Sequence, residues 1–274
     1  MLKETNILLI NDIVGYGKVA SSVMIPILSY KGFCLYNLPT AIVSNTLNYE
    51  SFQILETTEY MENTLRIWDQ LGFSFDAIST GFIVTERQME IISEFCAKQS
   101  KKGVLIFNDP IMGDNGKLYD GIPEETVGYM RGIVAHSDVT MPNYTEACLL
   151  TDTPIKTSVA KEEIHAIIDK LRTLGAKSAV VTSIDHTDGK LVAGYDQATE
   201  QYFYIPYEEI PVYFPGTGDI FSAVLISQVM GGSSLPSSTE KAMSIVKRLV
   251  EENRQQSDKY RGISIERCLS VFDE

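Results

Sequence analysis

Strand-like and helix-like segments alternate along almost the whole chain, and this alternation constrains the fold more than any other feature. Short apolar runs such as residues 6–11 and 104–107 are followed by segments with apolar residues at helical spacing, such as residues 21–30 and 161–174. Repeated units of this kind predict an α/β fold with a mainly parallel central sheet flanked by helices in three layers. Because no internal repeat, low-complexity tract or linker interrupts the sequence, we expect a single domain over residues 1–274.

Polar residues and a glycine gather where the predicted strands end. In open α/β sheets, ligands bind beyond the carboxyl ends of the strands. We therefore expect one binding region at that edge of the sheet. The residues concerned are Asn11, Asp12, Gly81, Asn108, Asp109, Asn143, Thr182 and Ser183.

The composition excludes some classes of partner. The formal net charge is -13, whereas nucleic acids and anionic membranes attract basic surfaces. No apolar run approaches the roughly 20 residues that a membrane-spanning helix needs. We expect neither a nucleic-acid nor a membrane partner.

The cysteines, the histidines and the N-terminus favour a cytoplasmic protein. The four cysteines are far apart and form no CxxC pair, and the three histidines lack metal-ligand spacing. The first ten residues lack the apolar core and cleavage site of a signal peptide. Free thiols without an export signal fit a reducing compartment.

The segment from Phe214 to Phe221, FPGTGDIF, is the strongest local signal for chemistry. Gly216 and Gly218 allow backbone angles that a Cβ atom disfavours, and Asp219 opens an apolar helix. Unpaired amides at a helix start, where the helix dipole is positive, form an anion hole. Asp219 beside that hole can accept the proton of an attacking alcohol. The segment alone also suits a simple N-cap and turn, so both interpretations stay open.

Residues 108–119, NDPIMGDNGKLY, place two carboxylates after a predicted strand. Asp109 lies at the strand end, and Asp114 lies in the loop that follows. Such carboxylates suit Mg²⁺, which binds few protein oxygens directly and keeps waters and phosphate oxygens. The alternative is an Asp-Pro turn followed by an Asx-rich loop.

The segment PNYTEA, residues 142–147, has a polar pair at helical spacing. Asn143 and Glu146 are three residues apart, so a helical start places them on one side. There they can hold metal-bound water and phosphate. A helix cap with an acidic first turn is the alternative.

These three segments, in this order, resemble the pyridoxal and pyridoxamine kinases of the ribokinase-like superfamily. Two further segments, LLINDIVGYGKVA near the N-terminus and TGF at Thr80 to Phe82, fit the substrate side of that family, and VVTS at Val180 to Ser183 fits its nucleotide side. The match extends from about residue 6 to about residue 230. The Gly-Thr-Gly-Asp element is shared across the superfamily, whereas the Asp-Pro block and the N-terminal segment point to the vitamin B6 branch.

The resemblance implies transfer of a phosphate from ATP to the 5′-hydroxyl of a B6 vitamer, with Mg²⁺ and usually as a homodimer. It assigns Asp219 as the base and Gly216, Thr217 and Gly218 as the anion hole. The remaining implied residues are Asp12, Val19, Ser44 and Phe82 at the vitamer, Asn143, Glu146, Thr182 and Ser183 at ATP, and Asp109, Asp114 and Glu146 at the metal.

Four positions depart from the pattern of the family. Asp12 stands where well-known pyridoxal kinases have Ser, and a carboxylate favours a cationic group, so we hypothesise a preference for pyridoxamine. Leu47 stands where many relatives have Thr, which removes one polar substrate contact. Met141 replaces a frequent Thr near the monovalent-cation site, which argues against K⁺ activation. Pro215 before the glycines is also atypical.

Other functions fit the sequence less well. The segment from Gly15 to Ala20 fits the GxGxxA pattern of dinucleotide-binding enzymes, but the acidic residue expected after the second strand is missing. A P-loop fits less well still, because Lys18 is followed by Val19 and Asp12 stands where its first Gly belongs. A hydroxymethylpyrimidine kinase and a ligand-binding homologue without turnover remain as alternatives.

Overall fold

The computed structural model describes residues 4–273, which belong to two compact units. The first unit combines residues 1–77 with residues 210–274, and the second consists of residues 78–209. This division does not test the prediction of a single domain over residues 1–274, which stays a prediction.

The first unit contains three strands of the sheet. β1 (Asn6–Val14) pairs in parallel with β2 (Cys34–Val43), and β2 pairs in antiparallel with β3 (Ile54–Glu56). Four α-helices complete the described part of this unit: α1 (Ser21–Tyr30), α2 (Thr58–Gln70), α7 (Thr217–Met230) and α8 (Leu235–Asn253).

The second unit contains six neighbouring strands of a sheet and a separate short hairpin. The six are, from one edge, β11 (Gln201–Tyr207), β10 (Gly189–Asp196), β9 (Ser178–His186), β8 (Val139–Thr140), β5 (Leu105–Asn108) and β4 (Ala77–Thr80). The short hairpin consists of β6 (Gly113–Asp114) and β7 (Lys117–Leu118). Its helices are α3 (Glu86–Ser100), α4 (Glu125–Val134), α5 (Tyr144–Leu150) and α6 (Lys161–Thr173).

The strand pairing confirms the predicted fold class. β5, β8 and β9 pair in parallel, and β10 is antiparallel to both β9 and β11. Parallel strands are covered on both faces, and accordingly Ile7 to Ile10 of β1 are fully or almost fully buried. On α6, the apolar stripe of the sequence is the buried face of the helix.

Two elements differ from the sequence-based expectation. β1 continues to Val14, so Asp12 lies within the strand and not beyond its end. The loop expected around Asp114 is the β6–β7 hairpin, because Asn115 and Gly116 have φ of 52° and 84°. Asn-Gly with positive φ at both positions is the favoured two-residue turn between antiparallel strands.

The helices of the described residues differ in how much of their surface is buried. α7 is apolar over most of its surface and nine of its residues are buried, whereas α8 buries one face only. Within residues 4–273, every helix is too short or too polar to cross a membrane.

Candidate active site

The start of α7 has the geometry of an anion-binding site. Gly216 is the N-cap residue with φ of 84° and ψ of 0°, and Thr217 is the first helical residue. Amides in the first turn of a helix have no partner within the helix, and the positive end of the dipole lies there. Asp219 lies in this turn and is 8% exposed.

The two glycines of this turn have different structural roles. A Cβ atom on Gly216 would lie 2.1 Å from the carbonyl oxygen of Lys18, so only glycine fits there. A Cβ atom on Gly218 would meet no atom within 4 Å. Gly216 therefore allows close contact with the loop before α1, and Gly218 leaves open space beside the first turn.

The carboxyl group of Asp219 has an environment suited to a proton acceptor. Burial raises its pKa to about 6, and hydrogen bonds from the Ala20 amide and the Asn11 side chain oppose part of that rise. Its Oδ1 atom is buried and has no hydrogen-bond partner among residues 4–273. A base with a pKa near the working pH and one available oxygen can take a proton from a bound hydroxyl group.

Asp12 lies close enough to Asp219 for their charges to interact. Burial raises the pKa of Asp12 to about 7, and the negative charge of Asp219 adds to the rise. The register between β1 and β2 shifts between Asn11 and Ile13, so Asp12 sits at an irregularity of the strand. Such irregularities redirect side chains and are common near active sites. We refer to Asp12 and Asp219 as the carboxylate pair.

The other residues predicted at the vitamer lie in different surroundings. Val19 is half-buried in the loop before α1, and Ser44 is exposed. Ser44 lines a cavity of 330 Å³ in the first unit, together with Tyr16 and Tyr49 among others. Phe82 is 7% exposed and belongs to the second unit.

On the side predicted to bind the nucleotide, Asn143 and Glu146 form a capping box at the start of α5. The Asn143 side chain accepts a hydrogen bond from the Glu146 amide at 2.9 Å, and Glu146 Oε2 accepts one from the Asn143 amide at 2.9 Å. The cap interpretation of the sequence is therefore correct. The cap does not rule out a functional role. Asn143 Nδ2 also donates to the Gly113 carbonyl at 2.8 Å, in the segment that carries the predicted metal ligands.

Glu146 binds the loop that carries the predicted metal ligands. Its Oε1 atom accepts hydrogen bonds from the amides of Met112 at 3.0 Å and Gly113 at 3.4 Å. Burial raises its pKa well above the usual range, and the charge of Asp109 adds to the rise, while the amide hydrogen bonds oppose it. Glu146 and Asp109 thus form a second pair of interacting carboxylates.

Asp114 faces other charges. Burial raises its pKa, while the Asn115 amide and Lys190 oppose the rise and Glu209 adds to it. Within the described part of the chain, no three His, Cys, Asp or Glu side chains converge as a metal site. Mg²⁺ commonly binds one or two carboxylates together with phosphate oxygens. The two neighbouring carboxyl groups of Asp109 and Glu146 fit this pattern, and a third protein ligand is not required.

Thr182 and Ser183 lie at a bulge of β9. Between Val181 and Ile184, β9 has one residue more than β10, and Ser183 has a φ of 58°. The Thr182 amide donates to the Pro142 carbonyl at 3.0 Å, which joins this bulge to the start of α5. Bulges of this kind are common beside active sites.

Sequence reasoning placed Asn11 in the binding region but did not pair it with Asp219, and it missed Ala20, which also contacts Asp219. Asn11 stands out in the sequence only as a polar residue near a strand end, and no pattern singles out Ala20. Ala20 has a φ of 49°, which is unusual for a residue with a side chain. No local pattern predicts a positive φ at an alanine, and only the polar Asn beside Asp12 offers a signal.

Comparison with known proteins identifies the family. The model of the phosphomethylpyrimidine kinase family matches residues 28–263. A solved structure from Bacteroides thetaiotaomicron, provisionally named a phosphomethylpyrimidine kinase, is 34% identical with a TM-score of 0.93 and covers 99% of this chain and 95% of that chain. A second crystal form of it, with pyridoxal, has a TM-score of 0.92 at the same identity and covers 99% of this chain and 96% of that chain.

Several curated relatives are named pyridoxal kinases, some of them provisionally. A provisionally named pyridoxal kinase of Schizosaccharomyces pombe is 30% identical over 70% of this chain, and the chain spans 58% of that protein's length. The pyridoxal kinase of Bos taurus is 26% identical and covers 83% of this chain and 78% of its own length. The pyridoxal kinase structure of Lactobacillus plantarum is 25% identical with a TM-score of 0.88, covering 98% of this chain and 97% of that chain. The chain belongs to the phosphomethylpyrimidine kinase family.

Proposed function

We propose that this protein transfers the terminal phosphate of ATP to the 5′-hydroxymethyl group of a vitamin B6 vitamer. The observation that carries the proposal is the buried carboxyl group of Asp219 at the glycine-rich start of α7, with Oδ1 unpartnered among residues 4–273. Asp219 takes the proton of the attacking hydroxyl, and the amides of Gly216, Thr217 and Gly218 stabilise the charge of the phosphoryl group in transfer.

The relatives support a B6 vitamer over a pyrimidine as the alcohol. The Bacteroides structure at 34% identity was obtained with pyridoxal, although its name refers to a phosphomethylpyrimidine. Two curated relatives are named pyridoxal kinases, the one from Schizosaccharomyces pombe provisionally. We assign Asp12, Val19, Ser44 and Phe82 to this substrate, and hydroxymethylpyrimidine is the alternative alcohol.

We assign the nucleotide and its Mg²⁺ to the residues around the capping box. Asp109 and Glu146 supply two neighbouring carboxyl groups that would hold a divalent cation, with Asp114 on the neighbouring hairpin. Because Glu146 already accepts three amide hydrogen bonds, it would hold the metal through water. When bound, Mg²⁺ would neutralise phosphate charge, and Asn143, Thr182 and Ser183 would contact the phosphates.

Asp12 supports a preference for pyridoxamine among the vitamers. Its pKa of about 7 means that the carboxylate becomes charged as the pH rises through neutrality. The preference for a cationic vitamer should therefore grow with pH. The ratio of kcat/KM for pyridoxamine to that for pyridoxal, measured from pH 6 to pH 8, tests this. A ratio in Asp12→Ser that follows the wild-type curve would contradict the assignment.

A cytoplasmic location and a homodimer complete the proposal. The four cysteines are free thiols, two of them buried, which is consistent with a reducing compartment. Met141, 3% exposed, offers no hydroxyl oxygen to a monovalent cation, so we expect no activation by K⁺.

The function is tested by ADP release from purified protein with Mg²⁺ATP and one candidate alcohol at a time. The panel comprises pyridoxamine, pyridoxal, pyridoxine and hydroxymethylpyrimidine. We expect ADP release with the three vitamers and little with the pyrimidine. Faster release with hydroxymethylpyrimidine would move the protein to the alternative, and binding without ADP release would make it a non-catalytic homologue.

A further inference from the structure

The loop between β1 and α1, residues 15–19, is shaped by the turn that follows β2. The Tyr16 amide donates to the Ser44 carbonyl at 3.1 Å. A Cβ atom on Gly17, whose φ is 130°, would lie 2.3 Å from Cγ2 of Thr46. The glycines that resemble a dinucleotide-binding pattern therefore fit this loop against its neighbour. We call residues 15–19 the substrate loop, since Val19 is assigned to the alcohol.

A segment near the C-terminus, residues 258–262, holds the substrate loop from the other side. The Lys18 amide donates to the Arg261 carbonyl at 2.7 Å. Thr46 Oγ1 donates to the Tyr260 carbonyl at 2.8 Å. This C-terminal segment is thus bonded to both the substrate loop and the turn after β2, although it is distant from them in sequence.

Asp258 is the junction of these contacts. Its Oδ2 atom accepts a hydrogen bond from the Tyr49 hydroxyl at 2.6 Å and a longer one from the Tyr16 hydroxyl at 3.4 Å. Its Oδ1 atom accepts from the Arg261 amide at 3.3 Å. The hydrogen bond from Tyr49 leads the causes that lower the pKa of Asp258, so the carboxylate is charged at neutral pH.

The two tyrosines that Asp258 holds are walls of the 330 Å³ cavity that contains Ser44. The ring centroids of Tyr16 and Tyr49 are 6.1 Å apart. A tyrosine whose hydroxyl is fixed by a carboxylate keeps its ring in one orientation. The shape of this cavity therefore depends on a residue outside it.

The same C-terminal segment also touches the backbone against which the anion hole is built. The carbonyl oxygen of Lys18 lies between two glycines, because a Cβ atom would be 2.1 Å from it on Gly216 and 2.8 Å on Gly262. Such close backbone packing transmits displacement. A shift of the C-terminal segment would thus move the substrate loop against Gly216.

We propose that Asp258 is a positioning residue for the alcohol site, which it shapes by fixing Tyr16 and Tyr49 while the segment that carries it clamps the substrate loop. This inference rests on the proposed function, because it concerns the alcohol substrate of the same site. Asp258 itself is assigned no contact with the substrate.

The test compares Tyr49→Phe and Asp258→Ala with the wild-type protein. We expect KM for the vitamer to rise about tenfold in both variants, the effect of losing one hydrogen bond to a charged group. KM for ATP should stay within about twofold, because the hydrogen bonds that these substitutions remove all lie on the alcohol side. Unchanged KM for the vitamer in Tyr49→Phe, or equal increases in KM for both substrates, would overturn the proposal.

Tyr30→Phe is the matched control. It removes a tyrosine–aspartate hydrogen bond of the same kind, from Tyr30 to Asp273 at 2.8 Å, which also joins α1 to the C-terminus. We expect both KM values of this variant to match the wild type.

Hydrogen exchange separates this inference from the proposed function. Amides of residues 15–19 and 44–49 should exchange faster in Asp258→Ala and in Tyr49→Phe than in the wild type, whether or not a vitamer is phosphorylated. If the wild-type protein phosphorylates no vitamer, the proposed function is wrong, but the role of Asp258 in shaping the cavity is still tested by the exchange rates. Unchanged exchange in both variants would overturn the role of Asp258.

Discussion

Asp219 combines a chemical role with a cost in stability. Its side chain is buried, one oxygen lacks a partner among residues 4–273, and its pKa is raised to about 6. Removing an ionised carboxyl group from water without full compensation is unfavourable. The folded protein keeps this carboxyl group in place because the surrounding turn of α7 and the loop before α1 fix its position.

The raised pKa of Asp219 predicts a pH-dependent gain in stability on substitution. The pKa of Asp219 is near 3.8 in the unfolded state and about 6 in the folded state, so the folded state binds the proton more tightly. The stability of the folded state therefore falls as the pH rises from about 3.8 to about 6. Asp219→Asn should therefore raise the free energy of unfolding by about 2–3 kcal/mol at pH 8 and by much less at pH 4. Urea unfolding of both proteins at the two pH values measures this. An equal or lower stability of the variant at pH 8 would contradict the pKa shift.

The sequence predicts Asp219 and its glycines because they are adjacent in the chain. It does not predict that Asn11 and Ala20 contact the carboxyl group, or that Gly216 packs on the Lys18 carbonyl. Those contacts join segments far apart in sequence, and a single sequence carries no record of such pairs.

At the scale of elements, the start of α7 predicts different outcomes for its two glycines. Gly216→Ala forces a Cβ atom against a carbonyl at positive φ, so we expect a loss of at least about 2 kcal/mol of stability together with activity. Gly218→Ala meets open space and has better helix propensity, so its stability should be unchanged or up to about 1 kcal/mol higher. Its activity should still fall, because the methyl group enters space assigned to the phosphoryl group.

Thermal unfolding and ADP release distinguish the two variants. A stable and fully active Gly218→Ala would contradict the assignment of the phosphoryl group to the space beside the start of α7. A Gly216→Ala variant as stable as the wild type would contradict the close contact with Lys18.

The start of α5 gives a second prediction at this scale. Asn143→Ala removes the cap of α5 and the bond to the Gly113 carbonyl, so we expect a loss of about 1 kcal/mol of stability and a higher KM for ATP. Thr85→Ala is the control, because Thr85 caps α3 by accepting from the Gln88 amide and is assigned no part in the site. It should lower stability to a similar extent and leave KM for ATP unchanged. Equal effects of both variants on KM for ATP would show that Asn143 acts only as a helix cap.

Long elements are predictable from periodicity, and the shortest are not. The helix predicted over residues 161–174 is α6, which spans Lys161–Thr173, because its apolar stripe, from Ile164 to Leu171, recurs at helical spacing over about two turns. β6 and β7 have two residues each, too few to show any alternation. Their only signal is the Asn115–Gly116 pair, which favours a hairpin turn.

At the scale of the whole molecule, alternating segments predict the parallel sheet but not the composition of the units. The first unit joins residues 1–77 to residues 210–274, and within it α7 packs against α1 and α8. Nothing in the local pattern indicates that the C-terminal helices pack with the N-terminal ones. This arrangement also places the C-terminal segment beside the substrate loop.

The central claim is that Asp219 removes the proton of the alcohol during phosphoryl transfer. The direct test is the rate at which wild type and Asp219→Asn form the 5′-phosphate of pyridoxamine from Mg²⁺ATP, followed by mass spectrometry, with ATP binding measured in parallel. We predict that the variant forms the product about 10²-fold more slowly or worse while it binds ATP like the wild type. Formation of the phosphorylated vitamer at the wild-type rate by Asp219→Asn would contradict the account.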